Sequence, residues 1–163
     1  MLQDAVWTQG QLRIKGGQSA TDNRGVRCAA ARYREALLRA QIGGVVASLL
    51  GRANGLLHLG SVVANAGLRA GRYAGVRTVP IRDIRGSEGR CQDFDAAFRP
   101  LKTHNRSRWV GLAAARQRGT VLPPVDLIQV GDIYFVRDGH HRISVARAFG
   151  QEQIDAEVTV LAA

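Results

Sequence analysis

Phe135-Val136-Arg137-Asp138-Gly139-His140-His141-Arg142-Ile143-Ser144 is the stretch on which the fold turns. Its apolar start reads as the end of a strand and Asp138-Gly139 as a tight turn. His141 to Phe149 reads as a helix stopped by Gly150, with Ile143, Val145, Ala146 and Phe149 facing inward. A strand–turn–helix junction gathers backbone N–H groups and a helix N-terminus in one space, which is an anion site. Gly139 lets the backbone approach a ligand. Arg142, in the first turn, adds a guanidinium for the same phosphate. His140 and His141 add donors or a switchable charge. Ser144 either donates to the ligand or bonds back to its own helix. Asp138 either caps the helix or holds Mg²⁺ together with a nucleotide's phosphates.

Working outward, Val125–Val130 and Ile133–Val136 form a hairpin around Gly131-Asp132, and Ile154–Leu161 alternates as a last strand. Upstream, Val79–Ile84 alternates as a first strand, followed by a turn over 85–90. Asp93 is placed to cap a short helix through Phe94, Ala97 and Phe98, ended by Pro100. A polar loop follows over 102–106. Ser107 then opens a helix carrying Trp109 and Leu112 in the core, stopped at Gly119.

The first half has a different texture. Residues 1–26 are polar and glycine-rich and read as flexible. From Arg27 to Leu50 a helical stripe runs through Tyr33, Leu37, Leu38, Ile42, Val45, Val46 and Leu49, with a weak point at Gly43-Gly44. Gly51–Gly60 breaks it, His58 standing structurally among leucines, and Ser61 starts a second short helix. Arg69–Arg77 reads as a mobile linker. The expected division is therefore a flexible segment 1–26, a basic helical extension 27–75, and an α+β domain 76–163 with a small mixed sheet and flanking helices. Burial of the 33–49 stripe predicts packing on the domain or a homodimer through that helix.

The chain has 163 residues, 45% hydrophobic and 22% charged, enough for a real core. No apolar run reaches the roughly 18 residues of a membrane span. The start lacks a basic-then-apolar secretion signal, and Cys28 and Cys91 form no CxxC pair, so a reducing cytoplasm is expected and a structural zinc or disulfide framework is not. Net charge is +10, and all basic residues but Lys15 and Lys102 are arginine. Residues 1–76 hold net +7 of that charge. An arginine excess on one part of the chain suggests a polyanionic partner, nucleic acid or an acidic surface, with DNA contacted through the basic N-terminal arm; a high-GC genome or a solvated basic helix gives the same excess without a partner.

The string DGHHR, between a hairpin and a helix running SVARAFG, resembles the ParB N-terminal/sulfiredoxin-like superfamily. VPIRDIRGSEGR with the following DF resembles its opening strand and arginine-bearing loop. The likeness spans about residues 77–161, and the longer pattern with LPPV and YFVRDGHHRISVAR is similar to small bacterial proteins labelled only ParB-like. In ParB the matching junction binds the phosphates of CTP, which implies Gly139, His140, His141 and Arg142 here, with Arg90 near the ligand. An acidic residue stands in ParB where His140 stands here. Sulfiredoxins carry their catalytic cysteine at that place, so His140 argues against their reaction. Free-serine kinases of the superfamily carry a DGH-x-R string and a glutamate base in the loop after the first strand, matched by Glu88. His104, Asn105, Arg106 and Arg108 form a loop suited to close over a triphosphate or touch a DNA backbone.

Three functions follow. The first is a nucleotide-binding module taking a nucleoside di- or triphosphate with Mg²⁺ (CTP, ATP or ADP), DNA-associated, with slow hydrolysis. The second is a small-molecule phosphotransferase using Glu88 as base, with Arg142 and Arg90 neutralising phosphates. The third, a ParB-like nuclease, lacks a compact acidic cluster to hold its metals and ranks last. A separate helix-turn-helix DNA reader is not evident.

Overall fold

The computed structural model describes residues 7–8, 11–12, 20–67 and 70–162. Trp7–Thr8 (β1) and Gln11–Leu12 (β2) pair antiparallel. Then follow α1 (Ala20–Leu49), β3 (Leu57–His58), α2 (Leu59–Ala66), β4 (Ala70–Pro80) and β5 (Ile84–Ser87). The rest is α3 (Arg106–Gln117), β6 (Val125–Val130), β7 (Ile133–Asp138), α4 (His140–Ala148) and β8 (Gln153–Ala162). The fold class is α+β. One six-stranded mixed sheet runs β3-β5-β7-β6-β8-β4. The β3–β5, β5–β7 and β6–β8 neighbours are parallel, while β6–β7 and β4–β8 are antiparallel. Among the described residues no helix is long and apolar enough to cross a membrane.

The hairpin, the DG junction, α4 and β8 lie where the residue pattern puts them. β6 and β7 pair Val130 with Ile133 across the Gly131-Asp132 turn. Alternate residues Val125 and Leu127 of β6 meet Ile143 and Ala146 of α4 in the main core, with Val136, Val158 and Phe94. Trp109 is fully buried beside Leu112, as expected.

Several readings need correction. The 69–77 segment is no linker from Ala70 on: β4 pairs with β8 from Ala70–Ala162 to Pro80–Gln153, so a sheet strand crosses the expected boundary between residues 75 and 76. The strand expected over 79–84 is split by a 3₁₀ turn, Ile81–Asp83, and the first half of the expected turn, 85–87, is part of β5. No helix forms at 94–98. There Phe94 bridges Pro100, Asp95 bridges Gly55, and Phe98 adopts φ 56°. Asp95, fully buried, organises this knot by accepting from the N–H groups of Ala97 and Arg99 and from Arg99 Nε at 2.7 Å.

Most of the segment expected to be flexible lies outside the described residues, but from Ala20 it is already helix α1. That helix runs unbroken through Gly43-Gly44. A Cβ on Gly43 would come within 2.9 Å of the Arg99 guanidinium, so glycine there admits a neighbour. The buried stripe is also not the expected one. α1 buries Ala29, Tyr33, Ala36 and Ala40 and leaves Leu38, Ile42, Val45, Val46 and Leu49 exposed. Small alanines bring the helix close to α3, where Tyr33 meets Trp109 edge-on at 5.5 Å. Tyr33 Oη donates to Lys102 O at 2.7 Å, and Arg32 donates to Ala148 O at 3.0 Å, so α1 is tied to α3, α4 and the loop before α3.

Candidate anion site at the start of α4

β3, β5 and β7 run parallel, with His58 in register with Ser87 and Ser87 with Val136. Their carboxyl ends share one edge, where the chain leaves into α2, the GSEGR loop and α4. Open parallel sheets place ligands at such edges. His58 is exposed there, not packed among leucines.

Gly139 is the N-cap of α4 at φ 101°, and no side chain caps the helix. Asp138 is therefore not its cap. A Cβ on Gly139 would stand 2.5 Å from Val125 Cγ1, so the glycine is required by packing on β6 as well as by its left-handed backbone. The first-turn N–H groups of α4 have no intrahelical acceptor, which leaves the positive end of the helix available.

Ser87 Oγ lies 2.7 Å from His140 Nε2 and accepts from Arg90 N at 2.9 Å and Gly89 N at 3.3 Å. Both lone pairs of the hydroxyl are thus taken, so its proton goes to His140 Nε2 and His140 carries its own proton on Nδ1. The pair has the spacing of a nucleophile and base. Ser87, however, is fully buried and saturated, and its role is to fold the GSEGR loop onto α4.

Arg90 is the hub. Its Nε and Nη2 hold Asp93 Oδ2 at 2.9 and 2.7 Å, Nη2 donates to Asn105 Oδ1 at 3.1 Å, and Nη1 lies 3.5 Å from His141 Nε2. Nε2 facing a guanidinium must be the acceptor, so the His141 proton sits on Nδ1. Among the described residues that buried Nδ1 has no partner, and neither does the buried Nδ2 of Asn105. Phe94 forms the floor, stacked on His140 at 5.8 Å and edge-on to His141 at 5.3 Å.

Burial first, and the Arg90 charge second, push His140 down to about 4 and His141 down to about 3; Arg108 lowers His141 further. Both imidazoles are neutral at pH 7. Burial pushes Asp93 up, but hydrogen bonds from Lys102 and Arg90 together with their charges outweigh it, and the carboxyl titrates below its usual range. Burial also raises the Cys91 thiol, so no activated thiolate stands here.

The other expected residues divide. Arg142 is committed elsewhere: Nη1 donates to Pro123 O at 3.0 Å and Pro124 O at 2.6 Å, and Nη2 to Asp138 Oδ2 at 2.6 Å. It pins the Leu122-Pro123-Pro124 run to α4 rather than pointing free into the junction. Ser144 neither bonds back to its helix nor faces the junction; its Oγ accepts from Trp109 Nε1 at 2.8 Å. Glu88 is half-exposed and pairs with Arg137 at 3.6 Å, not with Arg142. Arg108 is exposed on the first turn of α3, close enough for its charge to act on His141 and Arg142. The charge of Arg106 acts instead on Tyr33, and His104 is exposed on the 3₁₀ turn Thr103–Asn105. Among the described residues no three His, Cys, Asp or Glu side chains converge as a metal site.

Sequence reasoning underweighted Ser87, Asp93 and Asn105. The signal for Ser87 was its place between Gly86 and Glu88-Gly89, where an ST-turn is expected.

No protein-family model and no curated protein matches the chain. Among solved structures it is similar to the crystal structure of sulfiredoxin from Arabidopsis thaliana, with 20% identity and a TM-score of 0.36 over 51% of this chain and 82% of that one.

Proposed function

We propose that the cluster at the start of α4 binds the phosphate groups of a nucleotide. The observation that carries this reading is the pair of buried unpartnered donors, Asn105 Nδ2 and His141 Nδ1–H, beside Arg90 and an uncapped helix N-terminus. Leaving such donors unmatched costs about 1–3 kcal/mol each, and an anion with several acceptor oxygens removes that cost. Arg90 and the first-turn amides add further donors, and the carboxylate beside them, Asp93, is already taken up by Arg90 and Lys102. Asp93 and Asn105 hold Arg90 ready, and a phosphate competes with Asp93 for its fork.

Asp138 keeps one carboxylate oxygen outside its Arg142 pair and is largely exposed, which fits a Mg²⁺ carried in mainly by the nucleotide's own phosphates. Glu88, exposed on the same loop as Arg90 and paired with Arg137 at 3.6 Å, is the candidate base for phosphotransfer. That stands as the second reading.

The test is calorimetric titration with CTP, ATP, ADP and GTP, each with Mg²⁺, on wild type, Arg90→Ala and Asn105→Ala. One nucleotide should bind, and both variants should lose at least about tenfold, or 1.4 kcal/mol. Equal affinity in wild type and Arg90→Ala, with all three folded, removes the proposal. Turnover lost in Glu88→Gln with affinity kept selects the phosphotransferase; turnover unchanged excludes Glu88 as base.

A further inference from the structure

At the opposite end of α4 a separate cleft of about 870 Å³ opens between α1, the 3₁₀ turn before β5 and the Asp95 knot. Six arginines line it: Arg32 and Arg39 from α1, Arg82 and Arg85 from the sheet side, and Arg99 and Arg147 between them. Only two carboxylates, Glu35 and Glu152, line it with them.

Four of these arginines are held in place by contacts that leave part of their donor set free. Arg147 Nη2 donates to Ile81 O at 2.8 Å, with its guanidinium over Phe98 at 5.2 Å. Arg32 donates to Ala148 O and lies over Phe149 at 4.6 Å. Arg99 is held by Asp95 and Arg39 by Glu35, each at 2.7 Å. A guanidinium has five N–H donors, so each retains some for a ligand. Arg82, 86% exposed, has among the described residues only the carboxylate of its neighbour Asp83 at 3.7 Å, and the charge of Arg85 is close enough to act on Arg147.

The cleft is a track rather than a point. Beyond Arg39 and Arg99 it continues into a second trough of about 460 Å³ that ends at Arg52, walled by Ile42, Val46 and Leu50 of α1 and its end. From Arg32 to Leu49 the helix covers about 26 Å at 1.5 Å per residue. Spaced arginines beside exposed aliphatic wall match a chain of phosphates carrying flat apolar groups. A single small anion would need converging donors and would use only one end.

We propose that this arginine-lined track binds single-stranded nucleic acid, led by its backbone phosphates. A duplex keeps its base faces stacked inside and would leave the aliphatic wall of Ile42, Val46 and Leu50 uncovered, and among the described residues no aromatic side chain lines the track to read bases by stacking. Binding is therefore sequence-tolerant and strongly salt-dependent.

The experiment is fluorescence anisotropy with a labelled oligothymidylate of about 20 nucleotides across a salt series. Arg82→Ala/Arg85→Ala removes two exposed track charges. Arg27→Ala/Arg34→Ala removes two exposed charges of α1 that do not line the track. The track pair should weaken binding about tenfold or more and reduce the log–log salt slope by about 1.4, at about 0.7 per phosphate contact. The control pair should leave the slope nearly unchanged. Equal losses in both pairs would mean that net charge binds the strand, and would overturn the proposal. So would absence of binding at low salt, duplex binding as tight as the strand, or full competition by inorganic phosphate at matched ionic strength. An acidic peptide displacing the strand at equal charge would assign the track to a protein partner instead.

Discussion

The two ends of α4 put the same side chain to opposite uses. At the amino end, Arg142 spends its guanidinium on the carbonyls of Pro123 and Pro124 and on Asp138, while Arg90 rests on a carboxylate and an amide. At the carboxyl end, Arg147 grips Ile81 O, and Arg82 and Arg85 stand at the surface. A guanidinium on a buried carbonyl has no exchange partner, because leaving would orphan the carbonyl. One on a carboxylate can trade it for phosphate at small net change. Sequence motifs do not carry that distinction, and it separates arginines that build from arginines that bind.

The largest expected effect tests the closed end. Both histidines have folded-state values below the ordinary 6.5, so the unfolded chain takes up protons first as pH falls. Stability is complete above about pH 6.5 and drains away from there toward pH 4 and below, each unit of depression being worth about 1.4 kcal/mol. Urea unfolding at pH 7 and pH 4.5 should differ by more than about 2 kcal/mol. His140→Gln with His141→Asn should flatten the profile; a wild-type curve level over this range would mean the imidazoles are open to water.

Next comes Arg142. Removing it leaves two proline carbonyls and Asp138 unmatched, so Arg142→Ala should cost about 2–3 kcal/mol in urea unfolding. Arg90→Ala should cost less, about 1–2 kcal/mol, because Lys102 still pairs with Asp93 at 3.0 Å while Asn105 Oδ1 and His141 Nε2 lose their donor. If the order reversed, the division between building and binding arginines at this end would fail.

These two arginines also show what could be read from the sequence. The DG junction, the hairpin and α4 are local: period, turn and helix stop lie within adjacent residues. The partners of Arg142 lie 18 and 19 positions upstream, and proline carbonyls carry no sequence signal as acceptors. β4 was missed for a similar reason, since three glycines at 67, 71 and 75 look like a linker until β8 is laid beside them. The short helix at 94–98 was overread because its apolar spacing fits a helix, while buried Asp95 closes a tighter knot. In α1 the large residues drew attention, but the alanines make the contact.

A smaller effect belongs to Ser87. Ser87→Ala removes the donor to His140 and the acceptor for two loop N–H groups, and should cost about 1–2 kcal/mol by thermal unfolding. It should also weaken nucleotide binding, because Arg90 follows this loop. Unchanged affinity would detach the loop from the site. Least of all, Arg82→Ala should move stability by no more than about 0.5 kcal/mol, as its side chain is almost fully exposed. A larger loss would place it among the building arginines.

The pairing of β4 with β8 joins residues 70–80 to residues 153–162. β8 is also the strand that lies between β6 and β4. On a ribosome, β4 emerges long before its neighbour exists and must wait with an open edge while more than seventy further residues are made. The hairpin and α4 can assemble early, but the sheet closes only when residues 153–162 arrive, a high-contact-order step that sets a slow final phase. Until then the β4 edge is a surface for chaperones or for mispairing, and Arg72 and Arg77 on that strand place charge along it, as edge strands commonly do.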